Sequence, residues 1–524
     1  MKRSKLWITA IAVIVLMGIF GIANGYAASM AEGAAETPTL TVMVNSGAAA
    51  HHRPASNDLP AYQALEEKSG IHVEWNVIET SNYREVLRAR LAAGIDLPDV
   101  IDLPSGIGDV YDYALDGLVI PLNDLIAEHA PNLSRWFEEY PLHKASMTSP
   151  DGEIYAINHF VLPNTLSKNL MHNMLWLEAV DMDTPETTDD FVELLTAFRD
   201  GDPNGNGERD EIPLVPTGKS DINIIGNAFG LHLAMYLPYT VTDGAVSWDY
   251  ESDRYREYLE YMNLLYREQL LDQEYLTNNS GTTLEKVGND RVGTVSFWST
   301  WAFVFSRSHP HGTPDGETPI FNVPPPLIGP HGDQYFERRI LSGGRGLVIT
   351  RDAKRPDWAM RWIDFVRNSE EAITIQNWGV EGITYRVVDG EKEFIPTDED
   401  VSLNERLLRI GAGQPPYPHL QVKQAWINRF PAWIFPLDEK LQHFYIEPFP
   451  PIASTKEEID TINAVRGDLV TYYNEMKDKF IVGQESIDEK WDEYLQTVAK
   501  LGSDQFVQVY QQKWDRYLDI VGGN

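Results

Sequence analysis

From residue 40 the chain reads Leu40-Thr41-Val42-Met43-Val44, a short β-rich run that ends in Asn45-Ser46-Gly47. The order of the next elements decides the fold. Leu59, Tyr62 and Leu65 recur at helical spacing around the segment from Pro60 to Ser69, and Gly70 stops it. His72 to Val77 is β-rich again. Val86, Leu87 and Leu91 then line one face of a helix from Tyr83 to Ala93, and Asp99 to Leu103 forms a third short strand closed by Pro104-Ser105-Gly106. Strands alternating with helices predict a parallel α/β sheet with crossover helices. In such sheets ligands sit beyond the carboxyl ends of the strands. Asn45, Ser46, Asp102 and Ser105 lie at those ends and are candidate binding residues.

Further along, Asp151-Gly152-Glu153-Ile154-Tyr155 reads as a turn into a strand that runs to Asn158, another strand-end candidate. Thr187 has the position of an N-cap, with Asp190 three residues on and an apolar face of Phe191, Leu194, Leu195 and Phe198. The spacing predicts a helix from Tyr255 to Leu271, a strand from Val292 to Phe297, a loop at Pro324-Pro325-Pro326, a strand from Leu347 to Thr350 and a helix from Pro356 to Val366. From Ser454, which forms a capping-box pattern with Glu457, the chain is mostly helical to its end.

The 524 residues include 43 Lys+Arg and 78 Asp+Glu, a net charge of −35. That balance argues against nucleic acid, whose phosphates need a basic face, and favours a soluble protein that repels its own copies. Hydrophobic residues at 43% allow a large core, and a chain this long predicts two or more domains. The absence of cysteine excludes disulfides, thiolate zinc sites, iron–sulfur clusters, cysteine nucleophiles and lipoprotein anchoring.

Lys2, Arg3 and Lys5 precede an apolar run from Leu6 to Ala23, and Gly25 and Ala27 have cleavage-site spacing. Residues 1–27 read as a secretory signal peptide; the competing reading is an uncleaved anchor helix, which needs about 20 apolar residues. Cleavage would remove three basic residues and no acidic ones, deepening the charge from −35 to −38. Residues 28–38 read as a tether.

Asp202-Pro203-Asn204-Gly205-Asn206-Gly207-Glu208-Arg209-Asp210-Glu211 is the sharpest local motif. Oxygen side chains stand at positions 1, 3, 5 and 9 with glycine at 6, as in the first half of an EF-hand loop. Calcium takes six to eight hard oxygens, so Asp202, Asn204, Asn206, Asp210 and Glu211 are candidate side-chain ligands and Glu208 a backbone one. Position 12 is Pro213, so Asp210 and Glu211 must supply the final charges. The competing reading is a polar turn without metal. A structural Ca²⁺ is expected, because a loop closed over its ion leaves no place for substrate.

His51-His52 reads better as an exposed loop than as a metal site, since adjacent residues rarely face one ion. Phe297, Trp298, Trp301, Phe303 and Phe305 follow a predicted strand. Aromatics usually mean core, but two tryptophans at a strand end also suit a cleft rim, where flat rings stack on the C–H faces of sugars. Gly343, Gly344 and Gly346 lack phosphate-loop spacing. The chain has no nucleophile elbow, no HExxH and no P-loop.

Three pieces in order carry a resemblance. The first is Pro185-x-Thr187-x-x-Asp190-Phe191 continuing through the acidic loop to Asp210-Glu211-Ile212-Pro213. The second is Trp378-Gly379-Val380-Glu381-Gly382-Ile383-Thr384-Tyr385. The third is Lys479-Phe480-Ile481-x-Gly483, then Trp491-x-x-Tyr494, Gly502 and Tyr510 to Tyr517, and the turn at 151–155 adds to them. From Leu40 to Tyr517 the chain resembles the family 1 extracellular solute-binding proteins of ABC importers, in the long branch that includes alginate-oligosaccharide-binding proteins.

The resemblance implies an α/β, two-lobe, type II periplasmic-binding-protein-like fold with a helical C-terminal region. It implies no enzyme activity: a carbohydrate, an oligosaccharide in this branch, is held between the lobes and passed to a membrane permease. It also implies calcium at 202–211 and an approach of Trp378 to ligand. The expected division is lobe 1 from 39 to 155, lobe 2 from 156 to 300, hinge crossings and returning segments from 301 to 453, and C-terminal helices from 454 to 524. Trp298, Trp301 and Trp378 are expected to border the cavity, helped by Asn45, Ser46, Asp102, Ser105 and Asn158. Without a cysteine, a free periplasmic or extracellular monomer is expected. Relatives often carry Arg-Asp-Trp where this chain has Met171-His172-Asn173-Met174-Leu175-Trp176, which leaves the sugar open. The alternative is an exported carbohydrate-active enzyme, such as a glycoside hydrolase using two carboxylates.

Overall fold

The computed structural model describes residues 38–46, 57–104, 110–160, 167–233, 239–313, 316–337, 342–397, 403–413, 425, 431–446, 449 and 452–522. The signal segment 1–27, the tether up to residue 37, His51, His52 and Ser105 lie outside them. Among the described residues no helix is long and apolar enough to cross a membrane.

The opening alternation builds a five-stranded sheet. Its spatial order is His72–Ile78, Thr39–Asn45, Val100–Leu103, Ser342–Ile349, Ile157–Phe160. Thr39–Asn45 is parallel to both its neighbours, with Thr39 opposite His72 and Val42 opposite Val100. Ser342–Ile349 runs antiparallel to both of its own, placing Leu347 opposite Asp102 and Ile157. Both faces are covered, which is why Val42, Met43 and Val44 are apolar in succession instead of alternating. Leu40, Val42 and Val44 pack with Tyr62 and Leu65 of the helix Pro60–Ser69 and with Leu59 just before it. Met43 and Ile101 face Tyr83, Leu87 and Leu91 of the helix Tyr83–Ala93 on the other side. The Tyr83 hydroxyl also donates to the carbonyls of Asp102 at 2.7 Å and Met43 at 3.2 Å, which locks that helix across two strands.

A second sheet has Val292–Trp298 at its centre, antiparallel to Lys168–His172 and parallel to Ile212–Pro216. Its core takes Phe191, Leu194, Leu195 and Phe198 from the helix Thr188–Asp200. Gly293 is required here, because a Cβ would lie 2.3 Å from the Phe198 ring. The helices Lys456–Ile481, Ile487–Lys500 and Ser503–Gly522 add Leu469, Tyr473, Phe480, Trp491, Tyr494, Phe506 and Tyr510 to the same core.

The chain passes between these cores between 160 and 167, returns between 337 and 342, and leaves again between the helices Leu403–Arg409 and Ile434–Leu441. Ile157–Phe160 therefore belongs to the first sheet. Two local expectations change. The helix predicted to reach Leu271 is Asp253–Arg267, and Gln269 beyond it takes a positive φ. The capping box at 454 is shifted by one: Thr455 Oγ1 accepts from Glu458 N at 3.2 Å, and Glu458 Oε2 accepts from Thr455 N at 2.7 Å.

Candidate functional site

The acidic loop follows a well-terminated helix. Thr187 and Asp190 form a reciprocal capping box at its start, and Asp202, just past its end, adopts φ 46°. The Asp202 carboxylate then accepts from the backbone N–H groups of Asn206 at 3.1 Å and Gly207 at 3.1 Å. Asn204 Oδ1 accepts from Asn206 N at 3.1 Å, and Asn206 Oδ1 from Glu208 N at 2.6 Å. Gly207, at φ 78°, makes the turn that an L side chain would strain. Asp210 closes the ring, its Oδ1 accepting from the amides of Asn206 at 3.1 Å and Asn204 at 3.4 Å.

These residues fit a hard cation. Glu211 Oε1 is buried without a hydrogen-bond partner. Burial, and then the negative charges of Asp210 and Asp202, push its carboxyl above the usual range. A divalent ion would relieve that repulsion. Among the described residues no group of three or more His, Cys, Asp or Glu side chains is placed to hold a metal ion, so an ion in this loop would also need the Asn204 and Asn206 amide oxygens and the Glu208 carbonyl.

The loop is fastened to the head of the strand Val292–Trp298. Arg291 Nε lies 3.0 Å from Asp210 Oδ2 and donates to its carbonyl at 3.1 Å. Asn204 Nδ2 donates to the Asp290 carbonyl at 3.0 Å. The Asp290 carboxylate in turn accepts from Trp176 Nε1 at 3.0 Å and lies 2.7 Å from His309 Nε2.

The tail of the same strand lies where the chain arrives from the first core. Lys168 stands opposite Trp298 in the sheet, and its ammonium is 5.8 Å from the Trp298 ring centroid. That ammonium also lies 2.7 Å from Asp221 Oδ1, with side chains only 14% and 6% exposed. Ser299 donates through its N–H and hydroxyl to the Ser167 carbonyl, at 3.0 and 2.6 Å, tying the tail of the strand to the arriving chain. Trp298 and Trp301 are both half-buried, and Trp301 packs edge-on against Phe297 with centroids 5.0 Å apart.

The other candidates are spread over the first lobe. Asn45 and Ser46 are buried at the end of their strand, and the Ser46 hydroxyl accepts from Thr80 N at 3.1 Å. Asp102 is buried 3.6 Å from the equally buried Arg367 guanidinium. Asn158 is partly buried, its N–H directed at Met147 Sδ. Trp378 is 4% exposed and lies against Phe394 at 4.7 Å and Tyr385 at 6.1 Å. Sequence reasoning missed Lys168, Asp221, Asp290 and Arg291, which carry no local motif and meet their partners only in the folded chain.

The family model for bacterial extracellular solute-binding proteins matches residues 49–373. The fructooligosaccharide ABC transporter substrate-binding protein FusA of Streptococcus pneumoniae serotype 4 is 27% identical over 522 residues, covering 92% of this chain and 91% of FusA. The structure of FusA in complex with kestose matches with a TM-score of 0.74 at 25% identity over 91% of this chain and 99% of FusA, and an EF-hand mutant of FusA has also been solved. The alginate-binding protein AlgQ2, solved without calcium ion, gives a TM-score of 0.75 at 21% identity over 92% of this chain and 98% of AlgQ2. The polygalacturonan/rhamnogalacturonan-binding protein YtcQ of Bacillus subtilis is 24% identical over 386 residues, covering 72% and 73% of the two chains.

Proposed function

Because the chain belongs to the bacterial extracellular solute-binding proteins, we propose that it holds an oligosaccharide between two lobes and presents it to the membrane permease of an ABC importer. The observation that carries this reading is the position of Trp298 and Trp301, half-buried at the end of the second sheet that the chain reaches on crossing from the first. An indole there offers a flat apolar face to a sugar ring. Ser105 and Asn158 would bind hydroxyls from the first lobe; Asn45, Ser46 and Asp102, each at most 4% exposed, are as enclosed as Trp378, and we assign them to holding the fold and not to the sugar. Trp378, enclosed by Phe394 and Tyr385, we assign to packing.

A ligand touching both lobes favours the closed arrangement by its differential affinity for it, and the permease would recognise that closed surface. We divide the chain accordingly: 39–160 with 342–413 as lobe 1, and 167–337 with 431–522 as lobe 2. In the loop, Asp202, Asn204, Asn206, Asp210 and Glu211 would hold one Ca²⁺ with the Glu208 carbonyl. Bound there, the ion supplies charge neutralisation and stiffness, not reaction chemistry. We read the protein as exported through residues 1–27, working as a free monomer.

The test is a thermal-shift screen over oligosaccharides of defined composition, with product analysis of each mixture. Stabilisation by a stoichiometric sugar without any new product is the expected result. Turnover would instead make the protein a carbohydrate-active enzyme, and no response to any sugar would remove the proposal.

A further inference from the structure

Alginate and polygalacturonan are uronate polymers and kestose is uncharged, so the similar proteins leave the charge class of this ligand open. The geometry points to a neutral sugar, selected by the Lys168–Asp221 pair; this inference rests on the proposed site at Trp298.

The Lys168 ammonium stands 5.8 Å from the centroid of the stacking ring. An unpaired lysine in that position would attract a uronate carboxylate. Here it is engaged at 2.7 Å by Asp221, and both side chains are largely withdrawn from water. Asp221 is itself fixed. It opens the 3₁₀ segment Asp221–Phe229, its N–H donates to the Gly218 carbonyl at 2.8 Å, and its carbonyl accepts from the Ser296 hydroxyl on the Trp298 strand.

A uronate on Trp298 therefore meets a closed pair. To reach the ammonium it must displace Asp221 and leave that carboxylate buried without its partner, which is strongly unfavourable. If it does not displace Asp221, it brings a like charge beside one in a low-dielectric wall. A neutral ring does neither: its C–H face rests on the indole, and its hydroxyls bring no charge to oppose Asp221. The pair thus rejects the wrong ligand as well as shaping the right one, and the strongly negative chain adds long-range repulsion of anions.

The experiment measures binding by calorimetry of the full-length mature chain against 1-kestose, nystose, cellotetraose and xylotetraose, and against tri-galacturonate and tri-mannuronate. Every ligand bound by the wild type should be neutral, and Asp221→Asn should raise the ratio of uronate to neutral-sugar affinity at least tenfold. Trp298→Ala should weaken the neutral ligand at least tenfold. A wild type that binds a uronate as tightly as any neutral sugar overturns the inference. So does a folded Asp221→Asn in which that ratio is unchanged, and in that case loss of binding in Trp298→Ala still upholds the site. Unchanged binding in Trp298→Ala removes the site and the inference together. Should Asp221→Asn not fold, the double variant Lys168→Gln/Asp221→Asn keeps polar volume without a carboxylate to strand. Its discrimination must shrink, and discrimination equal to wild type overturns the inference.

Discussion

His172 occupies the second sheet with its side chain buried and Nδ1 3.0 Å from the Thr294 hydroxyl. Burial lowers its pKa to about 3. The unfolded imidazole takes up its proton near the ordinary value of 6.5, whereas the folded one resists until about pH 3. Stability from this group is therefore complete above 6.5 and is lost as pH falls from there toward 3. At pH 5 the loss amounts to about 2 kcal/mol. His143, lowered by burial to about 4, acts in the same direction. Melting temperatures measured from about pH 7 to about pH 4.5 should fall, and His172→Gln should flatten the slope. An unchanged slope in the variant would locate the acid sensitivity elsewhere. At this scale the sequence showed what local chemistry can show: two indoles beyond a strand, and polar side chains at strand ends. It could not show that Lys168 and Asp221 meet, because isolated charges are common in this chain and only the register of Lys168 against Trp298 selects the pair.

The acidic loop was legible because alternate oxygens and a glycine at fixed offsets form a pattern within about ten residues. Its fastening was not, since Arg291 and Asp290 come from a distant turn. If Ca²⁺ binds only the folded chain, a free concentration about 100-fold above Kd stabilises by about 2.7 kcal/mol. Chelator should lower the melting temperature of the wild type and leave Asp202→Ala unaffected; equal responses would refute ion binding by these residues. The C-terminal helix start gives a second lesson. Ser454-x-x-Glu457 and Thr455-x-x-Glu458 are equivalent as patterns. The structure selects the second, in which Glu458 also meets the Arg516 guanidinium at 2.8 and 3.1 Å, so a tertiary partner settles what local propensity leaves tied. Thr455→Ala should cost about 1 kcal/mol in urea unfolding, whereas a loss below a few tenths would mean that the cap adds little once Arg516 is in place.

Over the whole molecule, the alternating elements established the α/β class but not the sheet order. Ser342–Ile349 enters the first sheet between Val100–Leu103 and Ile157–Phe160. Its first half, with Gly343, Gly344 and Gly346, has no strand propensity, and its pairing shifts register between Gly343 and Gly346. A long-range partner made it a strand. Hinge closure predicts that a saturating sugar lowers the radius of gyration in small-angle scattering, while a non-binding sugar leaves it unchanged; identical curves with a bound ligand would exclude closure. The interleaving of the two cores also dictates an order of events during synthesis. The first core needs Leu347 and Leu407, and the second needs Tyr494 and Tyr510 near the end of the chain. The first core can close only after Leu407 has been made and the second only after the last helices are released, so the folding of each lags far behind the synthesis of its first strands.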